Sequence, residues 1–410
     1  MTVFSNGLVP CKQKECNRLV YPGTGAKTDA LCLSCYESGL DARAGVTETG
    51  LSDENLVAQV KGFFQARPFK PLQRRSVFTS IEQLFQAMTR AQKQELVDFC
   101  ITTMSSDLPH AEDLAAALVC FDDGDYKELT TAFFDRRRFY PGQLYRYATK
   151  HMFREIRERI IWDTRSRRSL MAALAWMPFE KIAGIFAEMN AEPPEWAAIM
   201  KMSFRSWTQT AGWEWTYDEQ RRTLFSESCF PMVEDPQNSL CVATDGPIDC
   251  GFCQKPMIQL FCVDGDQIGL EGFSGSISAL TCEFCGQHGP IFTEWDESGT
   301  ISWSPHNQMW SPPPAPAIRS MLERRFGARL GKVASPLRST YLKLPVNRSQ
   351  IGGLPTVMSR PQYPACPICD ETMMFLGQLD ANVFGFTNTA IFQTFTCKDC
   401  RVSATLLHRP

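Results

Sequence analysis

Cysteine is the residue type in this chain whose spacing most clearly predicts chemistry. The 410 residues contain 17 Cys and only 5 His, and most of the Cys occur as close pairs. The pairs combine into three quartets: Cys11, Cys16, Cys32 and Cys35; Cys250, Cys253, Cys282 and Cys285; Cys366, Cys369, Cys397 and Cys400. Four thiolates at one point suit Zn²⁺, which prefers soft sulfur ligands in a tetrahedron. The spacing therefore predicts three zinc sites.

Other roles for these thiols fit less well. An odd number of Cys is unlike a complete disulfide framework. A thioredoxin-like redox role for Cys366-Pro-Ile-Cys369 is disfavoured, because that motif belongs at a strand-to-helix turn and the following Met373-Met374-Phe375-Leu376 is typical of a strand. A catalytic zinc keeps one position open for water, whereas four Cys fill the tetrahedron. The sites are therefore predicted to be structural.

The last two quartets belong to an internal repeat. The pattern C-x2-C-x3-M-x2-L-x3-D starts at Cys250 and again at Cys366, an offset of 116 residues. Met257 and Met373 occupy the same place in the two copies, and we expect both in the core. The repeat predicts two related β units, each held by zinc.

Composition and charge favour a globular protein of the cytoplasm. The chain is 44% hydrophobic and 21% charged with a net charge of -3, so bulk electrostatics favours neither nucleic acid nor membrane. The start, MTVFSNGLVP, lacks the basic and apolar regions of a secretory signal, and no apolar run is long enough for a membrane helix. With no export signal, we expect reduced, metal-binding thiols.

A helical region separates the first quartet from the others. Apolar residues recur at intervals of three and four, as in Ile81, Leu84, Phe85 and Met88, and Ser80-x-x-Gln83 resembles a capping box. The stretch from Asp113 to Asp122 is similar to that from Ser169 to Pro178, which favours a HEAT-like solenoid over an irregular helical bundle. The predicted class is a multidomain α+β protein: a zinc finger (1–50), a HEAT-like helical domain (51–232) and two zinc-bound β units (233–316 and 317–410).

Two stretches are strongly basic. Residues 131–170 hold 11 Lys or Arg against 4 acids, and residues 317–344 hold 7 against one. A charge run is usually a solvated face. For residues 131–170, which follow an acid-rich stretch, the functional alternative is a surface suited to a protein partner. A nucleic-acid partner for residues 317–344 is disfavoured, because the overall charge of the chain is negative.

Motifs for catalysis are not found. The sequence has no Gly-x-Ser-x-Gly elbow, no His-Glu-x-x-His and no dinucleotide-binding glycine motif. The His residues lie apart from one another and from any nucleophile arrangement. We therefore expect a binding protein rather than an enzyme.

The C-terminal part resembles the YwqG-like family of zinc-containing β proteins. The matching positions are Ile351-Gly352-Gly353-Leu354-Pro355, Cys366-Pro367-Ile368-Cys369, Met373, Phe375, Leu376, Gln378, Leu379, Asp380, Phe395, Cys397 and Cys400. The family tends to carry Trp and Gln just after the Gly-Gly-x-Pro motif, whereas Val357 and Ser359 stand here. The resemblance implies a structural zinc in a β unit.

The stretch ALAWMPFEKIAGIFAEMNAEPPEW through AGWEW is similar to helical segments that accompany such zinc units in bacterial immunity proteins. These proteins neutralise polymorphic toxins of the Rhs type. The resemblance implies a cytoplasmic inhibitor that binds a cognate toxin and blocks its active site. A more distant likeness, to ribosomal-protein chaperones of the programmed-cell-death-protein-2 type, leaves open an adaptor for a ribosomal or nucleic-acid partner. Trp207, Trp213 and Trp215 are either interface anchors or core residues.

Overall fold

A computed structural model describes most of the chain from residue 56 onward. The described residues are 9–10, 19–20, 56–65, 75–200, 202–235, 240–266, 275–308, 326–341, 347–358, 360–381 and 390–409. The chain divides into two units, Met1–Leu96 and Val97–Pro410. Helices and antiparallel strands together confirm the α+β class.

The first unit begins with a short strand pair and continues in helices. Strands β1 (Val9–Pro10) and β2 (Leu19–Val20) pair antiparallel. The helices are α1 (Leu56–Gln65), α2 (Arg75–Ala87) and the start of α3 (Arg90–Thr103). Cys11, Cys16, Cys32 and Cys35 lie outside the described residues, so the N-terminal zinc finger stays a prediction.

The apolar periodicity correctly predicted the buried side of α2. Ile81, Leu84, Phe85 and Met88, which follows the end of the helix, are all buried. The capping box predicted at Ser80 is wrong, because Ser80 lies inside α2. The capping box is at the start of α3 instead: the Thr89 N–H donates to Gln92 Oε1 (2.8 Å), and the Gln92 N–H donates to Thr89 Oγ1 (3.3 Å).

Helices also form the first part of the second unit. Their bounds are α4 (Leu108–Phe121), α5 (Lys127–Asp135), a 3-10 helix (Gly142–Tyr147), α6 (Lys150–Trp162), α7 (Arg167–Trp176), α8 (Ile182–Ala191), α9 (Ala197–Met200) and α10 (Phe204–Thr210). The two similar stretches that suggested a repeat are α4 and α7, and apolar residues are buried along both. A helix that is apolar on most sides belongs in the interior. The solenoid arrangement itself stays a prediction.

Strands form the rest of the second unit. Their bounds are β3 (Trp213–Trp215), β4 (Arg221–Thr223), β5 (Cys229–Glu234), β6 (Leu240–Val242), β7 (Thr244–Asp249), β8 (Pro256–Asp264), β9 (Ser276–Thr281), β10 (Ile291–Trp295), β11 (Ile301–Trp303), β12 (Phe326–Leu330), β13 (Gln350–Gly352), β14 (Met374–Asp380), β15 (Ile391–Cys397) and β16 (Val402–His408). The residues of β14 to β16 are rich in Phe, Thr, Val and Leu, which favour strands.

Strands β3 and β4 pair with each other in a two-stranded sheet, and strands β5 to β16 build one large sheet and one small sheet that share a core. The large sheet has the order β11-β10-β16-β15-β14-β13-β5-β12-β6, and the small one is β7-β8-β9. Buried apolar residues of both sheets pack together, among them Phe261 of β8, Ile351 of β13 and Phe392 of β15. This core fixes the small sheet, with its cysteines, against the large one.

The two predicted β units share the large sheet. Strand β10 comes from residues 233–316 and pairs with β16 from residues 317–410. Strand β5, which spans the predicted boundary at residues 232 and 233, pairs with β12 and β13. Hydrogen bonds of one sheet therefore cross the predicted boundary at residues 316 and 317.

A pair of glycines explains the Gly-Gly-Leu-Pro motif. Gly352 ends β13 and Gly353 follows it, with φ values of 67° and 66°. This left-handed conformation favours glycine because it lacks a Cβ atom. A Cβ on Gly352 would overlap the carbonyl oxygen of Ser228, and one on Gly353 would lie 2.8 Å from Cys229 Sγ. The motif therefore lets the chain turn tightly against the strand that begins at Cys229.

His408, the last residue of β16, is buried without compensation for its charged form. Its side chain is 8% exposed, and Nε2 has no hydrogen-bond partner in the structure. Burial lowers the pKa of His408 from 6.5 to about 4. The folded chain therefore holds this imidazole neutral.

We predict that His408 makes the fold less stable in acid. Below pH 6.5 the imidazole binds a proton in the unfolded chain, whereas in the folded chain it stays neutral down to about pH 4. The free energy of unfolding therefore falls as the pH falls through this window. Between pH 7 and pH 4.5 the loss is about 2 kcal/mol. Urea unfolding of the wild type and His408→Leu at both pH values checks this. Equal pH dependence in the two proteins would contradict it.

Candidate metal centres

The first described cluster lies at the end of the small sheet. Cys250 follows β7, Cys253 lies in the turn before β8, Cys282 follows β9 and Cys285 begins a short 3-10 turn. One ligand atom from each of the four lies within 4.8 Å of all the others. The Sγ atoms of Cys253 and Cys282 are 3.6 Å apart.

The second cluster lies at the end of the large sheet. Cys366 and Cys369 precede β14, Cys397 ends β15, and Cys400 lies in the turn to β16. Their sulfur atoms are also mutually within 4.8 Å, and the Sγ atoms of Cys369 and Cys397 are 3.7 Å apart. The structure therefore brings together eight of the twelve predicted zinc ligands, in the two predicted groups of four.

The sulfur separations fit a metal and not a disulfide. A disulfide bond holds its sulfurs at about 2.05 Å. A tetrahedral zinc with Zn–S bonds of about 2.3 Å holds them at about 3.8 Å. The observed separations of 3.6 and 3.7 Å lie close to the second value. Both clusters thus fit structural metal sites with four sulfur ligands, and zinc is the metal that this ligand set favours.

The two Cys-x-x-Cys turns share the same backbone geometry, which supports the predicted duplication. The Cys250 N–H donates to the carbonyl of Lys255, and the Cys366 N–H donates to that of Glu371, both at 2.8 Å. Gln254 and Asp370, which occupy equivalent positions, have φ values of 58° and 62°. We call these two turns the first and second knuckles.

The strands that follow the knuckles also correspond. The pairing of β8 with β9 shifts register at Leu260, and the pairing of β14 with β15 shifts at Leu376. These residues are 116 positions apart, the offset of the sequence repeat. Met257 and Met373 are buried next to the cysteines of their own knuckles, as predicted.

The knuckles differ in what packs against the residue that precedes their second Cys. In the first, the Phe252 ring packs edge-on against Trp303 of β11, with centroids 5.0 Å apart. A Cβ on Gly251 would lie 2.6 Å from the same indole, so the glycine allows this close approach. In the second, Ile368 takes the place of Phe252 and is 52% exposed. The sequence repeat pairs Phe252 with Ile368, but it does not show that Trp303 covers only one of them.

Burial and hydrogen bonding give the thiols unequal acidities. Hydrogen bonding with Cys282 lowers the pKa of Cys250 to about 5, whereas burial raises the pKa of Cys285 to about 12. In the second cluster the backbone N–H of Glu371 lowers the pKa of Cys369, and burial raises that of Cys397 to about 11. A divalent cation favours the thiolate form of every ligand, so metal binding releases protons.

A buried carboxylate connects the second knuckle to the helical part of this unit. Glu214 of β3 is 4% exposed and forms ion pairs with Arg222 of β4 and, at 3.4 Å, with Arg205 of α10. Its Oε2 also accepts a hydrogen bond of 2.7 Å from Thr372 Oγ1, two residues before β14 begins. The Arg222 Nη2 group donates to the Thr372 carbonyl at 2.9 Å. Sequence reasoning missed this site, because Thr372 is 158 residues from Glu214 in the chain.

The tryptophans considered as interface anchors belong largely to the core. Trp207 and Trp213 are 6% and 0% exposed, and Trp213 Nε1 donates to the Ala175 carbonyl at 2.8 Å. Trp215 is half-buried beneath the Arg205 guanidinium, which lies 5.1 Å from its ring centroid. Core packing therefore explains Trp207 and Trp213.

No helix in the described part of the chain is long and apolar enough to cross a membrane.

No protein-family model and no solved structure matches the chain. The chain is similar to the uncharacterized protein YpfL of Salmonella typhimurium strain LT2. The two are 25% identical over an alignment 435 positions long, which covers 97% of this chain and 98% of that protein. The similarity thus extends over nearly the whole of both proteins.

Proposed function

We propose that this chain is an immunity protein that binds a cognate polymorphic toxin in the cytoplasm and occludes the toxin's active site. The observation that carries the proposal is the set of four Cys side chains at each of the two described clusters. Four Cys ligands fill the positions that zinc prefers, so the metal acts by holding the backbone in place. Metal sites of this kind favour binding over catalysis as the role of the chain.

The fold supports such a role because it holds its surface rigid. The large sheet is continuous from β11 to β6, and the small sheet packs against it through a shared core. Each cluster of four Cys brings together the ends of neighbouring strands. A surface that is ordered before binding loses less conformational entropy in the complex, which favours tight association.

The assignment to the immunity class rests on the resemblances to YwqG-like β units and to the helical segments of immunity proteins. In the structure, Gly352 and Gly353 make a tight turn, and Cys366, Cys369 and Met373 build the second knuckle. The motif residues therefore account for the shape of this β unit. We therefore expect surface residues outside the motif to recognise the partner.

The test first captures the protein that binds this chain and then measures whether that protein arrests bacterial growth. The tagged chain is purified from its source cells with zinc retained, and the captured protein is identified and then expressed alone in a test strain. We expect that protein to arrest growth and co-expression of the present chain to restore it. A tagged unrelated zinc protein controls for non-specific capture and for rescue by zinc buffering. A captured protein that is harmless, or whose toxicity persists on co-expression, would contradict the proposal.

The same capture separates this function from the adaptor or chaperone alternative. Ribosomal proteins or RNA in the eluate, released steeply by added salt, would indicate that alternative. A toxin held through an occluded active site would instead resist salt and lose its activity in the complex.

A further inference from the structure

The solvent side of α6 carries a row of cations that ends in two exposed apolar side chains. Lys150, Arg154, Arg157 and Ile161 are three or four residues apart, which places them on one side of the helix. All four are exposed, as is the neighbouring Trp162. Ile161 is 69% and Trp162 62% exposed. We call these five residues the arginine–tryptophan face.

More positive charge lies beside this face. The Arg159 guanidinium is 5.9 Å from the Phe139 ring centroid, so the chain segment that leads from Arg136–Arg138 to Phe139 runs along α6. Arg136–Arg138 are exposed. The acids of α6 offset only part of this charge: Glu155 lies 3.5 Å from Arg159, and Glu158 is exposed. The basic stretch predicted from the sequence is therefore a basic surface in the fold.

The backbone at the apolar end of the face is hydrogen-bonded to a buried arginine. Arg167, which is 6% exposed, donates hydrogen bonds to the carbonyls of Ile160 (2.8 Å) and Ile161 (2.9 Å). Its guanidinium also lies 4.9 Å from the Trp196 ring centroid. On the outer side, the Arg159 guanidinium lies 6.0 Å from the Trp162 ring centroid. Ile161 and Trp162 thus extend into solvent from a backbone that is already ordered.

We infer that the arginine–tryptophan face is the docking surface for the toxin, and that the toxin presents an acidic surface with an apolar site at its centre. This inference rests on the proposed function. Trp and Arg are the residues that most often anchor protein interfaces, and opposite charge steers and aligns the partner. Exposed Ile161 favours a protein over a nucleic acid, because an aliphatic side chain offers neither charge to phosphate nor an aromatic plane to a base.

The first test uses synthetic probes, so that it does not require the toxin. Binding of a random copolymer of glutamate and tyrosine, of polyglutamate and of poly(U) RNA is measured by fluorescence anisotropy at about 0.15 M salt. We expect the copolymer to bind more tightly than polyglutamate, because it offers apolar groups as well as charge. We expect Arg154→Glu with Arg157→Glu to weaken the binding of the copolymer about tenfold or more.

A second surface of the chain supplies matched controls. Lys332 is exposed, and next to it Val333 is 66% exposed, so this pair also combines a cation with an apolar side chain. We expect Lys332→Glu and Val333→Ala to leave copolymer binding unchanged, whereas Trp162→Ala weakens it about tenfold. All substitutions are at exposed positions, and unchanged melting temperatures confirm that each variant is folded.

The outcomes separate this inference from the function on which it rests. Equal loss of copolymer binding at both surfaces, no copolymer binding, or binding of poly(U) alone would overturn the docking surface. The captured partner gives the second measurement: Arg154→Glu with Arg157→Glu, and Trp162→Ala, are expected to release it. If the wild type captures and neutralises a toxin that these variants still bind, the docking surface is wrong while the proposed function stands. If no toxin is captured, the proposed function fails.

Discussion

Replacing Cys397 with serine is expected to remove one zinc per chain and to destabilise the second unit by about 5 kcal/mol or more. The substitution leaves three of the four sulfur ligands of the second cluster, and the ends of β14 and β15 are no longer held together. In addition, Met373 and Phe395 lie in the apolar cluster beneath this site, so their packing loosens as well. The zinc content of the purified protein and its urea unfolding curve measure the two effects.

Cys262→Ser is the matched control for this prediction. Cys262 lies in β8 but belongs to neither cluster, and its Sγ atom contacts Ser276 Oγ at 3.1 Å. The control is expected to retain its zinc and to unfold at nearly the same urea concentration as the wild type. Loss of stability in Cys397→Ser without loss of zinc would contradict a structural metal at the second cluster.

Replacing Glu214 with alanine is expected to lower the free energy of unfolding by about 2 to 3 kcal/mol, because its buried carboxylate accepts charge-assisted hydrogen bonds from Arg222 and Thr372. Arg222 would keep its hydrogen bond to the Thr372 carbonyl and its ion pair with Glu371, 3.3 Å away, but lose its buried partner. Thr372 would lose its acceptor as well. The unfolding free energy in urea measures the cost.

Glu297→Ala provides the comparison for Glu214. Glu297 also pairs with an arginine, Arg401, at 3.1 Å, but its side chain is 85% exposed. A surface pair of this kind contributes about 0 to 1 kcal/mol. A similar cost for both substitutions would show that the Glu214 pair is solvated and does not join the second knuckle to the helices.

The knuckles could be predicted from the sequence because their geometry is local. Each Cys-x-x-Cys turn closes on itself through a hydrogen bond between residues five positions apart, as between Cys250 and Lys255. The same is true of Cys366 and Glu371. Four sulfur ligands then need only a strand pair to bring two such segments together. The duplication could be identified as well, because the residues that build each local turn recur in the sequence at an offset of 116.

The pairing of the strands could not be predicted in this way. Thr293 of β10 and Ser403 of β16 are 110 residues apart, and their hydroxyl groups are 2.8 Å apart in the interior. The sequence of neither segment identifies its partner strand. Strands β14 and β15 are buried along almost their whole length, and such strands lack the alternation of polar and apolar residues that marks a surface sheet. The Glu214 site was missed for a related reason, since Thr372 is 158 residues away.

The position of β16 has a consequence for the order of folding. This strand lies third from one edge of the large sheet, yet it is the last described strand to be synthesised. The β10–β11 hairpin can form early, but it has no neighbour in the sheet until β16 follows. Closure over so long a loop is slow, and the hairpin's open edge is exposed to aggregation in the meantime. A stop codon before Val402 would therefore remove an interior strand and separate the hairpin from the rest of its sheet.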